Sequence, residues 1–174
     1  DIDQLDAIID KFMDYARPGD TRLMPVNVAQ LVDREAASLR DPSQIRILSR
    51  VPADLEVLGD ETELGRVFLN LFENARRYGR GTETGIAEVT VSTVTTGPWA
   101  IVSVRDQGPG VAPEKLAHLT TPFFRGDAAR TAATGAGLGL AIVDKAMQRI
   151  GGTLELANAP EGGLVAHLRL KRVG

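Results

Sequence analysis

The sequence has no cysteine and only 2 histidines. Without cysteine the chain can form neither disulfide bonds nor cysteine-based zinc sites, a composition that fits a reducing compartment. Long apolar runs are also absent: no stretch approaches the roughly 18 residues that span a bilayer, and no charged-then-apolar leader opens the chain. These absences predict a soluble, folded domain that is not embedded in a membrane.

A basic tract is missing as well. The 20 basic and 23 acidic residues are mixed along the chain and leave a net charge of -3, so no segment is suited to follow a phosphate backbone. We therefore expect no nucleic-acid partner. What the chain does have is 174 residues of which 43% are hydrophobic. This is enough for one domain with a substantial core, or for one domain and an appendage.

The first residues carry an apolar stripe at helical spacing. Its members are Leu5, Ile8, Ile9, Phe12, Met13 and Ala16. The segment "RPGD" then supplies a proline and a glycine, which end a helix. We predict a helix over residues 1–16, a linker over residues 17–21 and the main domain over residues 22–174. The residues alone leave open whether the helix packs in that domain or comes from a neighbouring bundle.

Helical and alternating patterns follow in the main domain. We predict helices over residues 28–39, 61–78 and 139–150, the first two capped by Asn27 and Asp60. Short strands are predicted in "LMPVNV", "IRILS" and "LEVLG" and over residues 87–94, 99–104, 153–156 and 164–170. This order predicts an α/β two-layer sandwich, in which helices cover one face of a mixed β-sheet.

Two asparagines in "NLFENARRYG" lie on one face of a predicted helix. Asn70 and Asn74 are four residues apart, so their amides project in the same direction. Two neutral oxygens stacked in this way suit a Mg²⁺ ion that is held mostly by phosphates and water. The alternative is a pair of solvated asparagines, and this motif alone does not decide between them.

A carboxylate stands at the end of a predicted strand in "VRDQGPGVAP". Asp106 can accept a hydrogen bond from an adenine amino group that lies against the backbone of Gly108 and Gly110, since glycine has no Cβ atom. The pattern Asp-x-Gly-x-Gly also occurs in ordinary turns. Taken alone, this stretch favours a turn over a binding site.

Arginines and alternating glycines come next along the chain. In "TPFFRGDAAR", Arg125 and Arg130 suit phosphate oxygens, although a surface loop anchored by Phe123 and Phe124 is the alternative. In "TGAGLGLAIV", glycines precede a predicted helix whose free N–H groups favour anions. By itself this is a weak phosphate motif, because it lacks the lysine of a P-loop and follows no obvious strand. A flexible turn is the alternative.

Together, the four stretches resemble the N, G1, F and G2 boxes of the ATP-binding domains of sensor histidine kinases, in order and in spacing. The resemblance covers about residues 22 to 172. The segments "NARRYG", "PFFRGDAART", "GLGLAIV" and "AIIDKFMDYAR" resemble osmosensor kinases of the EnvZ type. The family implies a Bergerat-type ATP-binding fold, and a first helix that belongs to a dimerisation and phosphotransfer bundle.

The resemblance implies ATP and Mg²⁺ as cofactors and a role for individual residues. Asn70 and Asn74 would hold Mg²⁺ and phosphates, with Asn70 counted among the catalytic residues. Arg77 would touch phosphate, Tyr78 would pack near the base, and Asp106 would bind the adenine amino group.

The resemblance also assigns the glycines and arginines. Gly108 and Gly110 would make room for the base, while Arg125 and Arg130 would reach the phosphates from a mobile lid and take part in catalysis. The further nucleotide-binding positions that it implies are Val111, Phe124, Thr134, Gly135, Gly137, Leu138, Gly139 and Leu140.

One departure from the family concerns the phosphoacceptor. Such kinases carry it in a motif like His-Glu-x-x-Thr-Pro, and neither His118 nor His167 has that context, so we expect both to be structural. The chain then resembles the C-terminal part of a homodimeric kinase in the bacterial inner membrane, of which it would be a cytoplasmic domain. The implied partners are its own dimerisation and phosphoacceptor domain and a response regulator.

Two other functions are considered beside the kinase. ATP-hydrolysing clamps of the gyrase, chaperone or mismatch-repair type share the fold, but that resemblance implies a glutamate where this chain has Asn70. We expect hydrolysis to be slow for that reason. The other alternative is a nucleotide-binding module with only a regulatory role, which is disfavoured because the phosphate-facing residue types are all present.

Overall fold

The computed structural model describes residues 9, 10, 12, 13, 15, 22–39, 43–81, 83–121 and 139–173. Its strands are β1 (Met24–Asn27), β2 (Ile45–Ser49), β3 (Glu56–Gly59), β4 (Ala87–Thr96), β5 (Trp99–Arg105), β6 (Thr153–Asn158) and β7 (Leu164–Lys171). Its helices are α1 (Val28–Ala37), α2 (Glu61–Tyr78), α3 (Pro113–Leu116) and α4 (Gly139–Arg149).

The helix starts follow from capping side chains. Asn27 Oδ1 accepts a hydrogen bond from Gln30 N at 2.9 Å, and Asp60 Oδ1 accepts one from Glu63 N at 3.0 Å. Each cap satisfies an N–H group that has no partner within its helix. Both predicted caps are confirmed, and α2 has the predicted bounds.

Five strands form one mixed sheet in the order β2-β4-β5-β7-β6. The pair β2 and β4 is parallel, and the other three neighbouring pairs are antiparallel. A separate antiparallel pair joins β1 to β3. The order brings β5 next to β7 although β6 lies between them in the chain, and this pairing positions the site described below.

The core lies between one face of the large sheet and the helices. Alternate residues of the central strands are buried on that face, such as Val91 of β4, Val102 of β5 and Leu168 of β7. They pack in one cluster with the apolar stripes of the helices, where Phe68 and Phe72 of α2 are completely buried. This arrangement confirms the predicted α/β two-layer sandwich.

Some details differ from the sequence predictions. The short helix α3 was not predicted, since 4 residues are too few to show a helical period. At the N-terminal end, residues 9, 10, 12, 13 and 15 are helical, as predicted, while the other residues of 1–16 and the linker 17–21 lie outside the described part. Among the described residues, no helix has both the length and the apolar character to cross a membrane.

Candidate functional site

A pocket opens where α2, α4 and the ends of three strands of the large sheet meet. Its empty space of about 260 Å³ includes space that is open to solvent. Its polar lining residues are Asn74 and Asp106. Its apolar lining residues are Leu71, Ala75, Val104, Leu140, Leu156, Leu164 and Ala166. A mostly apolar lining with two polar side chains suits a flat heterocycle such as a nucleobase.

Asp106 is the buried acid of this pocket. It follows β5 directly and is 7% exposed. Its Oδ1 atom accepts two backbone hydrogen bonds, from Gly108 N at 2.9 Å and from Leu164 N at 3.1 Å. Because both bonds go to one oxygen, the carboxylate is fixed while it retains acceptor capacity for a ligand.

The surroundings of Asp106 also change its acidity. Burial raises the pKa of the carboxyl above its ordinary value of 3.8, because a charged group loses water on burial. The hydrogen bonds from Gly108 and Leu164, and the positive charge of Arg105, lower the pKa and offset part of this effect. A buried acid with a perturbed pKa at a pocket wall is a typical property of a functional site.

Glycines surround this carboxylate closely. A Cβ atom on Gly79 would lie 2.5 Å from Asp106 Cγ and 2.6 Å from its Oδ2, and a Cβ on Gly108 would lie 2.6 Å from Gly79 Cα. Gly163, at φ +88°, faces the Asp106 carbonyl oxygen so closely that a Cβ would overlap it. A side chain at Gly79 or Gly163 would collide with Asp106, and one at Gly108 would collide with the backbone of Gly79. The predicted role of Gly108 and Gly110 in making room for a base stays a prediction.

The two asparagines of α2 are in different surroundings. Asn70 is 4% exposed, and its Nδ2 donates to Arg66 O at 2.8 Å. Its Oδ1 lies 3.8 Å from the position of a Cβ on Gly139, at the start of α4. Asn74, one turn further along α2, lines the pocket with Asp106 and Leu140. The fold therefore brings together Asn70, Asn74, Asp106 and the start of α4.

A metal would find only weak ligands here. Among the described residues, no group of three or more His, Cys, Asp or Glu side chains could hold a metal ion. The amide oxygens of Asn70 and Asn74 are neutral, and Mg²⁺ is usually bound by one or two carboxylates together with substrate phosphates. The donor set fits an ion that arrives with a polyphosphate, and it does not fit a metal held by the protein alone.

Four other residues that the sequence analysis singled out are not among those that line the pocket. Arg77 is exposed and Tyr78 is half-buried, both in the last turn of α2. His118 is exposed, whereas His167 on β7 is half-buried and its Nδ1 lies 2.7 Å from Ser103 Oγ. Neither histidine lines the pocket.

The predicted lid lies outside the described residues. Phe123 and seven predicted site residues belong to this part of the chain: Phe124, Arg125, Arg130, Thr134, Gly135, Gly137 and Leu138. Their predicted contacts with phosphates stay predictions.

The sequence motifs did not single out four residues around Asp106 and the segment that follows it: Gly79, Asn158, Gly163 and Leu164. Of these four, Leu164 lines the pocket itself. Asn158 bonds to Val111, with Nδ2 donating to Val111 O at 2.6 Å and Oδ1 accepting from Val111 N at 2.9 Å. The double glycine at 162 and 163 was the available signal, because such a pair often marks close approach of two backbones.

The chain is similar to known proteins over most of its length. Residues 59–174 match the family described as histidine kinase-, DNA gyrase B-, and HSP90-like ATPase. The chain is also 33% identical over 170 residues to the signal transduction histidine-protein kinase/phosphatase MprB of Mycolicibacterium smegmatis. That match covers 93% of this chain and 32% of MprB, so the chain spans about a third of the length of this relative.

Solved structures agree with the sequence matches. The structure of a mycobacterial sensor histidine kinase MprB is similar with a TM-score of 0.72 and 30% identity, over 87% of this chain and 98% of that one. Full-length ShkA in complex with AMPPNP is similar with a TM-score of 0.75 and 27% identity, over 99% of this chain and 37% of that one.

Proposed function

This chain belongs to the histidine kinase-, DNA gyrase B-, and HSP90-like ATPase family, as a sensor histidine kinase ATP-binding catalytic domain, and from that premise we propose how its site works. The domain binds Mg-ATP with the adenine amino group on Asp106. It transfers the γ-phosphoryl group to a histidine on the dimerisation domain of the same kinase. A response regulator then receives the group.

The observation that carries the proposal is the held carboxylate of Asp106. Two backbone N–H groups fix Oδ1 at 2.9 and 3.1 Å, and Oδ2 lies on the side of Gly79. An acceptor that is fixed in a mostly apolar pocket selects a ligand with an N–H group at that position. Adenine has an amino group there, whereas guanine has a carbonyl oxygen.

The rest of the site supports a triphosphate next to the base. Asn70 and Asn74 extend along α2, and Asn70 Oδ1 faces the start of α4, where free N–H groups favour anions. Asn70 and Asn74 would hold a Mg²⁺ ion that entered with the nucleotide, and the ion would neutralise phosphate charge. Arg125 and Arg130 are the proposed cationic contacts of the phosphates.

In the proposed reaction, a nitrogen of the acceptor imidazole forms a bond to the γ-phosphorus in line with the leaving oxygen. The bond from that phosphorus to the bridging oxygen of the β-phosphate breaks, and ADP leaves with the electron pair. The chain itself positions the nucleotide and offsets charge that develops on the phosphoryl oxygens. His118 and His167 are not proposed as acceptors, since neither lines the pocket.

The partners and location of the whole protein are part of the same proposal. We infer a homodimeric kinase that is anchored in the bacterial inner membrane, with this domain in the cytoplasm. Ile9, Phe12 and Met13 are 49%, 45% and 62% exposed, and this apolar surface suits packing in the dimerisation bundle.

The main alternative is an ATP-hydrolysing clamp. Such an enzyme needs a side chain that can take a proton from water, and the amide of Asn70 cannot act as a base. Its Nδ2 already donates to Arg66 O. ATP hydrolysis is therefore expected to be slow, and phosphotransfer to histidine is the favoured function over hydrolysis or a purely regulatory role.

Two measurements test the proposal. Calorimetry should find clearly tighter binding of Mg-ATP than of Mg-GTP, and Asn74→Ala should weaken Mg-ATP while thermal unfolding stays unchanged. Equal affinity for the two nucleotides would refute the role of Asp106.

The second measurement is phosphotransfer to a separate dimerisation domain that carries the acceptor histidine. The chain should transfer γ-phosphate to it slowly, because the tether that raises the effective concentration is missing. Acid-labile label on this chain alone would refute the assignment of the acceptor.

A further inference from the structure

We propose that Asn158 is a positioning residue for base recognition. Its carboxamide fixes the far end of the segment 106–111, and thereby holds Asp106 in the orientation that selects adenine. The inference rests on the proposed function, since it assumes that Asp106 contacts the base.

The carboxamide of Asn158 forms the same pair of hydrogen bonds with one residue as a neighbouring strand forms in a β-sheet. Its Nδ2 donates to Val111 O at 2.6 Å, and its Oδ1 accepts from Val111 N at 2.9 Å. A single side chain thus satisfies both backbone groups of Val111, as a neighbouring strand does. This requires a donor and an acceptor side by side on one planar group, which a carboxamide provides and a carboxylate does not.

Gly110 shows how closely the segment approaches this side chain. It has φ +75°, and a Cβ atom there would lie 2.7 Å from Asn158 Oδ1. A larger residue would be strained in this conformation and would also push the carboxamide away. The glycine at position 110 therefore serves the contact with Asn158.

The same hairpin holds the other end of the segment. Leu164 N donates to Asp106 Oδ1 at 3.1 Å, and Asn158 and Leu164 are opposite each other in the register of β6 and β7. Arg105 also donates to Gly162 O, from Nε at 3.2 Å and from Nη2 at 3.0 Å. The hairpin β6–β7 thus fixes the first and last residues of the segment that carries the proposed base contact.

The contact is suited to alignment more than to stability. Asn158 is exposed and is not among the residues that line the pocket. Hydrogen bonds that compete with water contribute little to folding, whereas a binding group works only within about 0.5 Å of its productive position. Loss of the contact should therefore weaken recognition while the fold persists.

The test compares two variants with a matched control. Asn158→Asp keeps the size and the acceptor but places a second acceptor against Val111 O, and Asn158→Ala removes both groups. Asn27→Asp makes the same chemical change at an asparagine that also joins two backbone groups, with Oδ1 on Gln30 N at 2.9 Å and Nδ2 on Ala53 O at 2.8 Å. Asn27 caps α1 and does not line the pocket.

Calorimetry with ATP, ADP and GTP, together with thermal unfolding, gives the readout. Both Asn158 variants should bind ATP and ADP weaker by the same factor, roughly 3- to 10-fold, and their preference for ATP over GTP should fall. Asn27→Asp should retain the wild-type affinities and preference.

The outcomes separate this inference from the proposed function. If the wild-type chain does not prefer ATP to GTP, the proposed function fails, and the inference fails with it. If the wild type prefers ATP and the Asn158 variants keep both affinity and preference, only the inference is overturned. A lower unfolding temperature with an unchanged preference would also overturn it, because the role would then be merely structural.

Discussion

Glu63 and Asp106 are two buried carboxylates with opposite surroundings. Glu63, on α2, is 4% exposed and lies between two arginines, with Oε1 at 3.4 Å from Arg66 Nη1 and Oε2 at 3.1 Å from Arg149 Nη1. Asp106 is 7% exposed and is held by two backbone N–H groups. The guanidinium of its neighbour Arg105 bonds instead to Glu161 and to Gly162 O.

The comparison separates a structural acid from one that we propose to be functional. The charge of Glu63 is matched by cations on α2 and α4: Oε1 pairs with Arg66 within α2, and Oε2 joins α2 to α4 through Arg149. Arg149 extends this network, since its Nη2 donates to Tyr15 O at 2.9 Å and so ties the N-terminal helical residues to the domain. The carboxylate of Asp106 is held by backbone N–H groups instead. Part of the free-energy cost of burying its charge therefore remains, as its raised pKa indicates. Such a cost is retained where an acceptor is needed for binding.

The largest effect is expected from loss of the cation beside Glu63. Arg149→Met keeps much of the side-chain volume but leaves a buried carboxylate with one fewer partner, which should lower the free energy of unfolding by about 3 kcal/mol. Urea unfolding at neutral pH measures it. Arg76→Met is the control: the pair Arg76–Glu73 has side chains 27% and 28% exposed, and its loss should cost about 1 kcal/mol or less. Equal losses in both variants would contradict the structural role of Glu63.

The next effect should appear in binding and not in folding. Asp106→Asn keeps an oxygen for the N–H groups of Gly108 and Leu164 but turns an amide donor toward the ligand. The binding free energy of Mg-ATP should become less favourable by about 2 kcal/mol, the usual contribution of a hydrogen bond to a charged group. The free energy of unfolding at neutral pH should stay equal or rise. A destabilised variant that still bound ATP normally would place Asp106 in the same class as Glu63.

A smaller effect is expected from the glycine that packs on Asp106. Gly79→Ala would put a Cβ atom 2.5 Å from Asp106 Cγ, so the carboxylate must move, at a cost of roughly 1–2 kcal/mol in stability and with weaker ATP binding. Gly85→Ala is a useful control, since a Cβ there has no atom within 4 Å and only its φ of +68° causes strain. If both variants bind ATP equally well, Gly79 does not hold the carboxylate in place.

These residues also show what sequence could and could not reveal. Caps such as Asn27 and Asp60 act within three residues, so local patterns were enough to predict them. The stretch around Asp106 favoured a turn when taken alone, and only the order of four motifs assigned Asp106 to a site. The contact of Leu164 with Asp106 spans 58 residues, and that of Arg149 with Glu63 spans 86. They depend on the pairing of β5 with β7 and on the packing of α2 against α4, and neither leaves a periodic signal in the chain.

The last and smallest effect is a pH dependence that has opposite signs for folding and for binding. The raised pKa of Asp106 means that, from about its ordinary value of 3.8 upward, the folded protein keeps a proton that the unfolded chain has released. The contribution of this group to stability is therefore fully present below pH 3.8 and is lost as the pH rises through the raised pKa. ATP needs the ionised acceptor, so affinity should rise over the same window. Unfolding and ATP titrations from acid to neutral pH, each measured relative to Asp106→Asn, isolate this group from all others. If stability and affinity relative to that variant rose together with pH, the carboxylate would be stabilised by its surroundings, as Glu63 is by its arginines, and would not be held at a cost for binding.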